Sequence, residues 1–152
     1  MIENVVGLLR ADLQQKNIVI RRARNDALPR VLSDAVQLQQ VVLNLLINAS
    51  EAMKEIVDRP RTISVDTDEP RPGLLILSVR DNGIGVKEPE ELERMFEHFA
   101  GSKPEGLGMG LAISRAIVEA HGGRIWASTN SGPGLTLNVE FPALAEARAE
   151  AR

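Results

Sequence analysis

Residues 35–56 set Leu38, Val42, Leu45, Leu46, Ala49 and Met53 along one stripe when wound at about 100° per residue. An apolar stripe of that length cannot stay in water, so a second layer has to cover it. Ser33 or Asp34 is placed to N-cap this helix, which reaches about Ile56 before "DRPR" stops it. The stretches around it alternate between strand and helix. A short amphipathic helix over 3–15 is followed by "IVIRR" (18–22) as a strand and "NDALPR" as a loop. "TISVDTD" (62–68) alternates like a strand and "EPRPG" reads as a turn. "LLILSVR" (74–80) is so uniformly apolar that it predicts a strand covered on both faces.

From Asp81 to about Gly106 the chain is loop-like, with one helical turn around "EELERMFEHF". A helix over 107–120 follows, closed by His121-Gly122-Gly123, and "RIWAST" and "LTLNVEFP" then pair as a hairpin across "NSGPG". This order predicts an α/β two-layer sandwich, a mixed sheet covered on one face by about three helices. One domain spans 1–142, and 143–152 is a helical tail or a truncated linker. With 43% hydrophobic and 26% charged residues the composition is globular, and a net charge of −3 argues against nucleic acid or an anionic membrane as partner. There is no cysteine, which excludes thiolate metal sites and disulfides, and no apolar run long enough to cross a bilayer.

Three groups of residues carry chemistry. On the polar side of the long helix Gln37, Gln40, Asn44, Asn48, Glu51 and Glu55 fall within an arc of roughly 80°. An ordinary solvated face would carry lysine, glutamate and arginine, yet residues 35–50 hold no charge. Asparagine is a poor helix former, but its amide oxygen can ligate Mg²⁺. "DNGIG" (81–85) directly follows a strand; a plain turn has this composition, while a carboxylate there can also accept a hydrogen bond from an adenine amino group. Its glycines at 83 and 85 would let a flat base approach. Gly106, Gly108 and Gly110 open a helix, whose free N–H groups and dipole suit a phosphate. No Lys-Ser/Thr follows them and no strand directly precedes them, which excludes the Walker A and Rossmann loops.

Taken in order, "QVVLNLLINASEAM" (40–53), "DNGIG" (81–85), "MFEHF" (95–99) and "GLGMGL" (106–111) resemble the N, G1, F and G2 boxes of sensor histidine kinases. Over 1–142 the chain is similar to their catalytic ATP-binding domain, of the Bergerat fold shared with gyrase B, Hsp90 and MutL. "EHFAGSKPEGLGMGLAISRAIVEAHGGRIWA" is especially similar to the oxygen- and nitrogen-sensing type. The resemblance implies ATP and Mg²⁺ as cofactors, with Asn48 as metal ligand and Asn44 supporting the metal or its waters. It implies Asp81 on the adenine amino group, Gly83 and Gly85 shaping that wall, and Thr136 in the adenine-side water network. Backbone N–H groups of Gly106, Leu107, Gly108, Met109, Gly110 and Leu111 would cradle the phosphates. Residues 86–105 would form a lid, packed down by Phe96 and Phe99, from which Lys103 reaches the terminal phosphates.

The chain departs from the pattern in three places. Glu51 stands where many such kinases carry a lysine or arginine, and His98 where a proline is commoner. No acceptor-histidine box is present: the only histidines are His98 and His121, and His121 reads as a helix C-cap. The resemblance therefore implies a cytoplasmic, monomeric catalytic domain cut from a longer kinase, of a kind that can be membrane-anchored. Its γ-phosphate would go to a histidine on a separate dimerisation and acceptor domain, with a response regulator downstream. Two other readings are a stand-alone serine kinase of the anti-sigma type and a nucleotide-responsive interaction module without phosphotransfer.

Overall fold

The structure, a computed structural model, describes residues 2–23, 35–97 and 107–142. Its elements run α1 (Ile2–Gln15), β1 (Ile18–Ala23), α2 (Ala35–Ala52), β2 (Arg61–Arg71), β3 (Leu74–Asp81), α3 (Pro89–Arg94), α4 (Leu107–Ala120), β4 (Arg124–Thr129) and β5 (Leu135–Pro142). The five strands form one sheet in the order β1-β2-β3-β5-β4, with β1 parallel to β2 and every other pair antiparallel. This is the expected mixed sheet. Among the described residues no helix is long and apolar enough to cross a membrane.

The stripe on α2 found its second layer. Leu45, Leu46 and Met53 are fully buried beside Ile63 of β2, Val79 of β3 and Val139 of β5, with Val118 of α4 in the same cluster. β3 is covered on one face only, contrary to the expectation from its composition. Leu77, Val79 and Asp81 are buried on the helix side, whereas Ile76 and Ser78 are half-exposed and Arg80 is exposed on the other. The open face is polar around it: Ser78 Oγ donates to Asn138 Oδ1 at 2.8 Å, and Asn138 Nδ2 donates to Ser128 Oγ at 3.1 Å. Arg124 lies over the Trp126 ring at 4.1 Å on the same side.

Two boundaries differ from the sequence reading for local reasons. β2 continues to Arg71, because a bulge sets Glu69 and Pro70 opposite the single residue Leu75. Proline has no N–H for the ladder, and a bulge accommodates it. The regular part of α2 ends at Ala52, after which Met53 and Lys54 donate to carbonyls three residues back, a tightened last turn. The end of α4 is as expected: the Gly123 N–H returns to the Val118 carbonyl at 2.9 Å and that of Gly122 to Glu119 at 3.0 Å, a Schellman closure. His121 adds a bond from Nδ1 to the Ile117 carbonyl at 2.8 Å, which requires the proton on that nitrogen.

Candidate functional site

The sheet order puts the end of β3 in the middle of the molecule, under the C-terminal half of α2. Asp81 is 4% exposed there, and burial pushes its carboxyl up to about 6 from 3.8. Backbone N–H groups of Gly83 and Leu135 oppose that rise; the Gly83 bond to Oδ1 is 2.8 Å long. A buried carboxylate served by two N–H groups keeps further acceptor capacity, which is what an amino-group donor requires.

The glycines of "DNGIG" answer first to packing. A Cβ on Gly83 would collide with the Ala52 carbonyl, and the Ile84 N–H donates to that same carbonyl at 3.0 Å. The loop therefore closes the end of α2, one reason the regular helix stops there. Across the site a Cβ on Gly134, whose φ is +98°, would collide with the Asp81 carbonyl oxygen. Gly85 faces the Gly134 carbonyl, at 3.0 Å from where its own Cβ would stand.

On α2, Asn44 and Asn48 are both half-buried, and they differ in what they hold. Asn44 Nδ2 donates to the Gly110 carbonyl and to Ser114 Oγ, each at 3.0 Å, while its Oδ1 accepts from Gln40 Nε2 at 3.1 Å. Asn44 thus ties two successive turns of α4 to α2, and fully buried Ser114 is the partner the sequence reading missed. The Asn48 amide has no hydrogen-bond partner among the described residues, and its side chain is half-buried. Gly110 and buried Leu111 belong to the first turns of α4, with Leu107, Gly108 and Met109 ahead of them in the helix. Gly106, Lys103, His98 and Phe99 lie outside the described residues.

Thr136 does not join the Asp81 side. It pairs with Arg80, and alternation along the strand turns both to the open face, away from the Asp81 carboxylate. Its hydroxyl donates to Asn130 Oδ1, and Asn130 Nδ2 donates in turn to the Asp81 main-chain carbonyl at 2.9 Å. The β5 residue on the Asp81 side is the buried Leu135, so an apolar side chain stands where the hydroxyl was expected. Phe96, assigned to the lid, is 3% exposed and part of the core cluster. Arg115 of α4 covers it, with its guanidinium 5.7 Å from the ring centre and 2.9 Å from Glu93 Oε2. Among the described residues no cluster of three or more histidine, aspartate or glutamate side chains is arranged to hold a metal.

Known proteins share this arrangement. The family described as histidine kinase-, DNA gyrase B-, and HSP90-like ATPase matches residues 33–145. The sensor protein FixL of Bradyrhizobium diazoefficiens is 36% identical over 96% of this chain and 28% of its own length. The catalytic domain of histidine kinase ThkA superposes with a TM-score of 0.81 at 30% identity, over 93% of this chain and 90% of that one. ThkA in complex with the response regulator protein TrrA gives a TM-score of 0.78 at 28% identity, over 95% of this chain and 40% of that one. The chain spans 15 to 30% of the length of the first curated relatives, all of them sensor proteins. The match over residues 33–145, on the fold and side chains just described, makes this chain a member of the histidine kinase-, DNA gyrase B-, and HSP90-like ATPase family.

Proposed function

We propose that the chain is the catalytic domain of a sensor histidine kinase, which binds Mg²⁺–ATP and presents the γ-phosphate to a histidine on a separate acceptor domain. The observation that carries this reading is the Asn44 bracket. By holding Gly110 and Ser114, it sets the glycine-rich start of α4 against the asparagine face of α2. A phosphate-binding helix start and an amide oxygen free to meet a cation then share one wall.

Asn48 is the metal ligand in this reading. Mg²⁺ keeps several waters and takes phosphate oxygens, so one or two protein oxygens suffice and no acidic cluster is needed. When bound, the cation neutralises charge on the terminal phosphates. Asn44 keeps α4 in place, and its oxygen, already accepting from Gln40, has one lone pair left for a metal-bound water. Asp81 accepts from the adenine amino group. The N–H groups of the first turn of α4 receive the phosphates, and Lys103 adds charge at their end. An amide at position 44 takes no proton at neutral pH, so water is not activated there and hydrolysis is slow. Positioning dominates instead: the imidazole nitrogen of the acceptor forms its bond to the γ-phosphorus while the bond to the leaving ADP oxygen breaks. By analogy with the ThkA–TrrA complex, a response regulator is the downstream partner.

Calorimetric titration with ATP tests the pocket. Saturable binding is expected, at least about tenfold weaker in Asp81→Asn and without Mg²⁺ dependence in Asn48→Ala. Labelled ATP then tests the chemistry, with label passing to a histidine of an added acceptor domain. Label on a serine of a partner protein would favour the anti-sigma reading, and an absence of ATP binding would overturn both.

A further inference from the structure

The loop carrying Asp81 is held from behind by a cation outside every motif named above. Arg59, in the connection between α2 and β2, forks onto it: Nε donates to the Asn82 carbonyl at 2.9 Å and Nη2 to the Gly83 carbonyl at 3.0 Å. The peptide group joining Asn82 to Gly83 is therefore engaged at both ends, because its N–H is the one that donates to Asp81 Oδ1 at 2.8 Å. A single peptide separates the guanidinium from the carboxylate. In a site of low dielectric the two hydrogen bonds polarise each other, so the cation strengthens the donor that holds the anion.

The surroundings fix this relay in place. The Arg59 side chain is 27% exposed and braced by Asp58 at 3.1 Å. Asn82 Oδ1 accepts from the Thr62 N–H at 3.1 Å and its Nδ2 donates to the Pro60 carbonyl at 2.6 Å, clamping the loop to the start of β2. Among the described residues, the other charges on the elements around Asp81 are committed elsewhere or turned away. Glu51 of α2 pairs with Lys54, Glu55 is exposed beyond the helix end, Arg61 binds main-chain carbonyls, and Arg80 is on the opposite face of β3. β5 brings Leu135 and its N–H.

We infer that Arg59 is a positioning residue for the purine-binding carboxylate: through the Asn82–Gly83 peptide it keeps the Gly83 N–H on Asp81 and favours the ionised acceptor. The inference rests on the nucleotide-binding reading for its purpose, and on geometry alone for the coupling.

Two measurements on Arg59→Gln and Arg59→Lys in the whole chain decide it. Carboxyl NMR follows the Asp81 titration without nucleotide, and calorimetry follows ADP binding from pH 5 to 8. In Arg59→Gln the Asp81 midpoint should rise by about half to one pH unit, and ADP affinity at pH 5 should fall about three- to tenfold, with a smaller loss at pH 8. Arg59→Lys, which keeps the charge and one donor, should recover part of both. An unmoved midpoint in a folded variant overturns the inference. So does an affinity loss equal at pH 5 and pH 8, the mark of a merely structural prop. Should Arg59→Gln fail to fold, Arg59→Lys alone decides through its midpoint. If the wild type binds no ADP, the nucleotide reading fails, and the carboxyl titration still tests the coupling.

Discussion

Asp81 is a carboxylate kept where ionisation is costly, and that cost has a measurable sign. Folding raises its pKa from 3.8 to about 6, so the folded state holds the proton more tightly than the unfolded chain does. The stability this provides is complete below pH 3.8, declines as pH rises towards about 6, and is gone above it. The whole step amounts to about 3 kcal/mol. Asp81→Asn removes the charge and keeps an oxygen for the Gly83 and Leu135 N–H groups, while its amide nitrogen asks for an acceptor of its own. The variant should therefore be more stable than wild type at pH 7, by about 1–2 kcal/mol, and lose that advantage at pH 4. Thermal melts at both values check it, and an equal or lower Tm at pH 7 would sink the account. The same variant should bind nucleotide worse, so the site keeps its carboxylate at the expense of the fold. The place of Asp81 at a strand end was legible because it directly follows the apolar run 74–80, although a plain turn has the same composition as "DNGIG". Arg59 and Leu135 were not: "DRPR" reads as a helix stop, and only the sheet register tells which of Leu135 and Thr136 points inward.

Between elements, the joints are made by side chains that satisfy main-chain groups. Arg61 opens β2 and binds three carbonyls at once, those of Ile56 at 3.0 Å, Lys16 at 2.8 Å and Lys54 at 3.2 Å. The end of α1, the turn after α2 and the start of β2 thereby meet at one guanidinium. Arg61→Ala leaves all three carbonyls without that partner and should cost about 2–4 kcal/mol in a urea melt with an unchanged m-value. A loss under about 0.5 kcal/mol would mean that water replaces the arginine freely. Asn44 does the same between α2 and α4, which explains why an asparagine belongs mid-helix despite its low propensity. Helices and strands themselves were legible to within a few residues: α4 begins and ends where read, whereas β2 runs on to Arg71, regular α2 stops at Ala52, and β3 is covered on one face rather than two. Such joints were not legible, because a main-chain carbonyl leaves no trace in the sequence of the residue that caps it.

At the scale of the whole molecule, the sheet, α2 and α4 form one core, and the chain after residue 86 contributes to it through Phe96. The sequence reads 86–105 as a single lid, since an acidic, loop-like stretch shows nothing of what its phenylalanines touch. In the fold Phe96 is inside the core cluster, Arg115 lies over its ring and pairs with Glu93, and the Met95 and Phe96 N–H groups close the turn after α3. Residues 89–96 therefore belong to the body that nucleotide binds to. Phe96→Ala should lower stability by about 3–4 kcal/mol, the cost of emptying a buried aromatic site, and Arg115→Ala by about 1 kcal/mol. Amide exchange adds an independent check. The Met95 and Phe96 amides should be protected before ADP is added and change less than about threefold afterwards, whereas Gly110 and Leu111 slow markedly as the helix start takes up phosphate. If instead Phe96→Ala leaves stability intact and weakens only ADP binding, the phenylalanine is a nucleotide-gated latch, and the moving part of the domain begins before it.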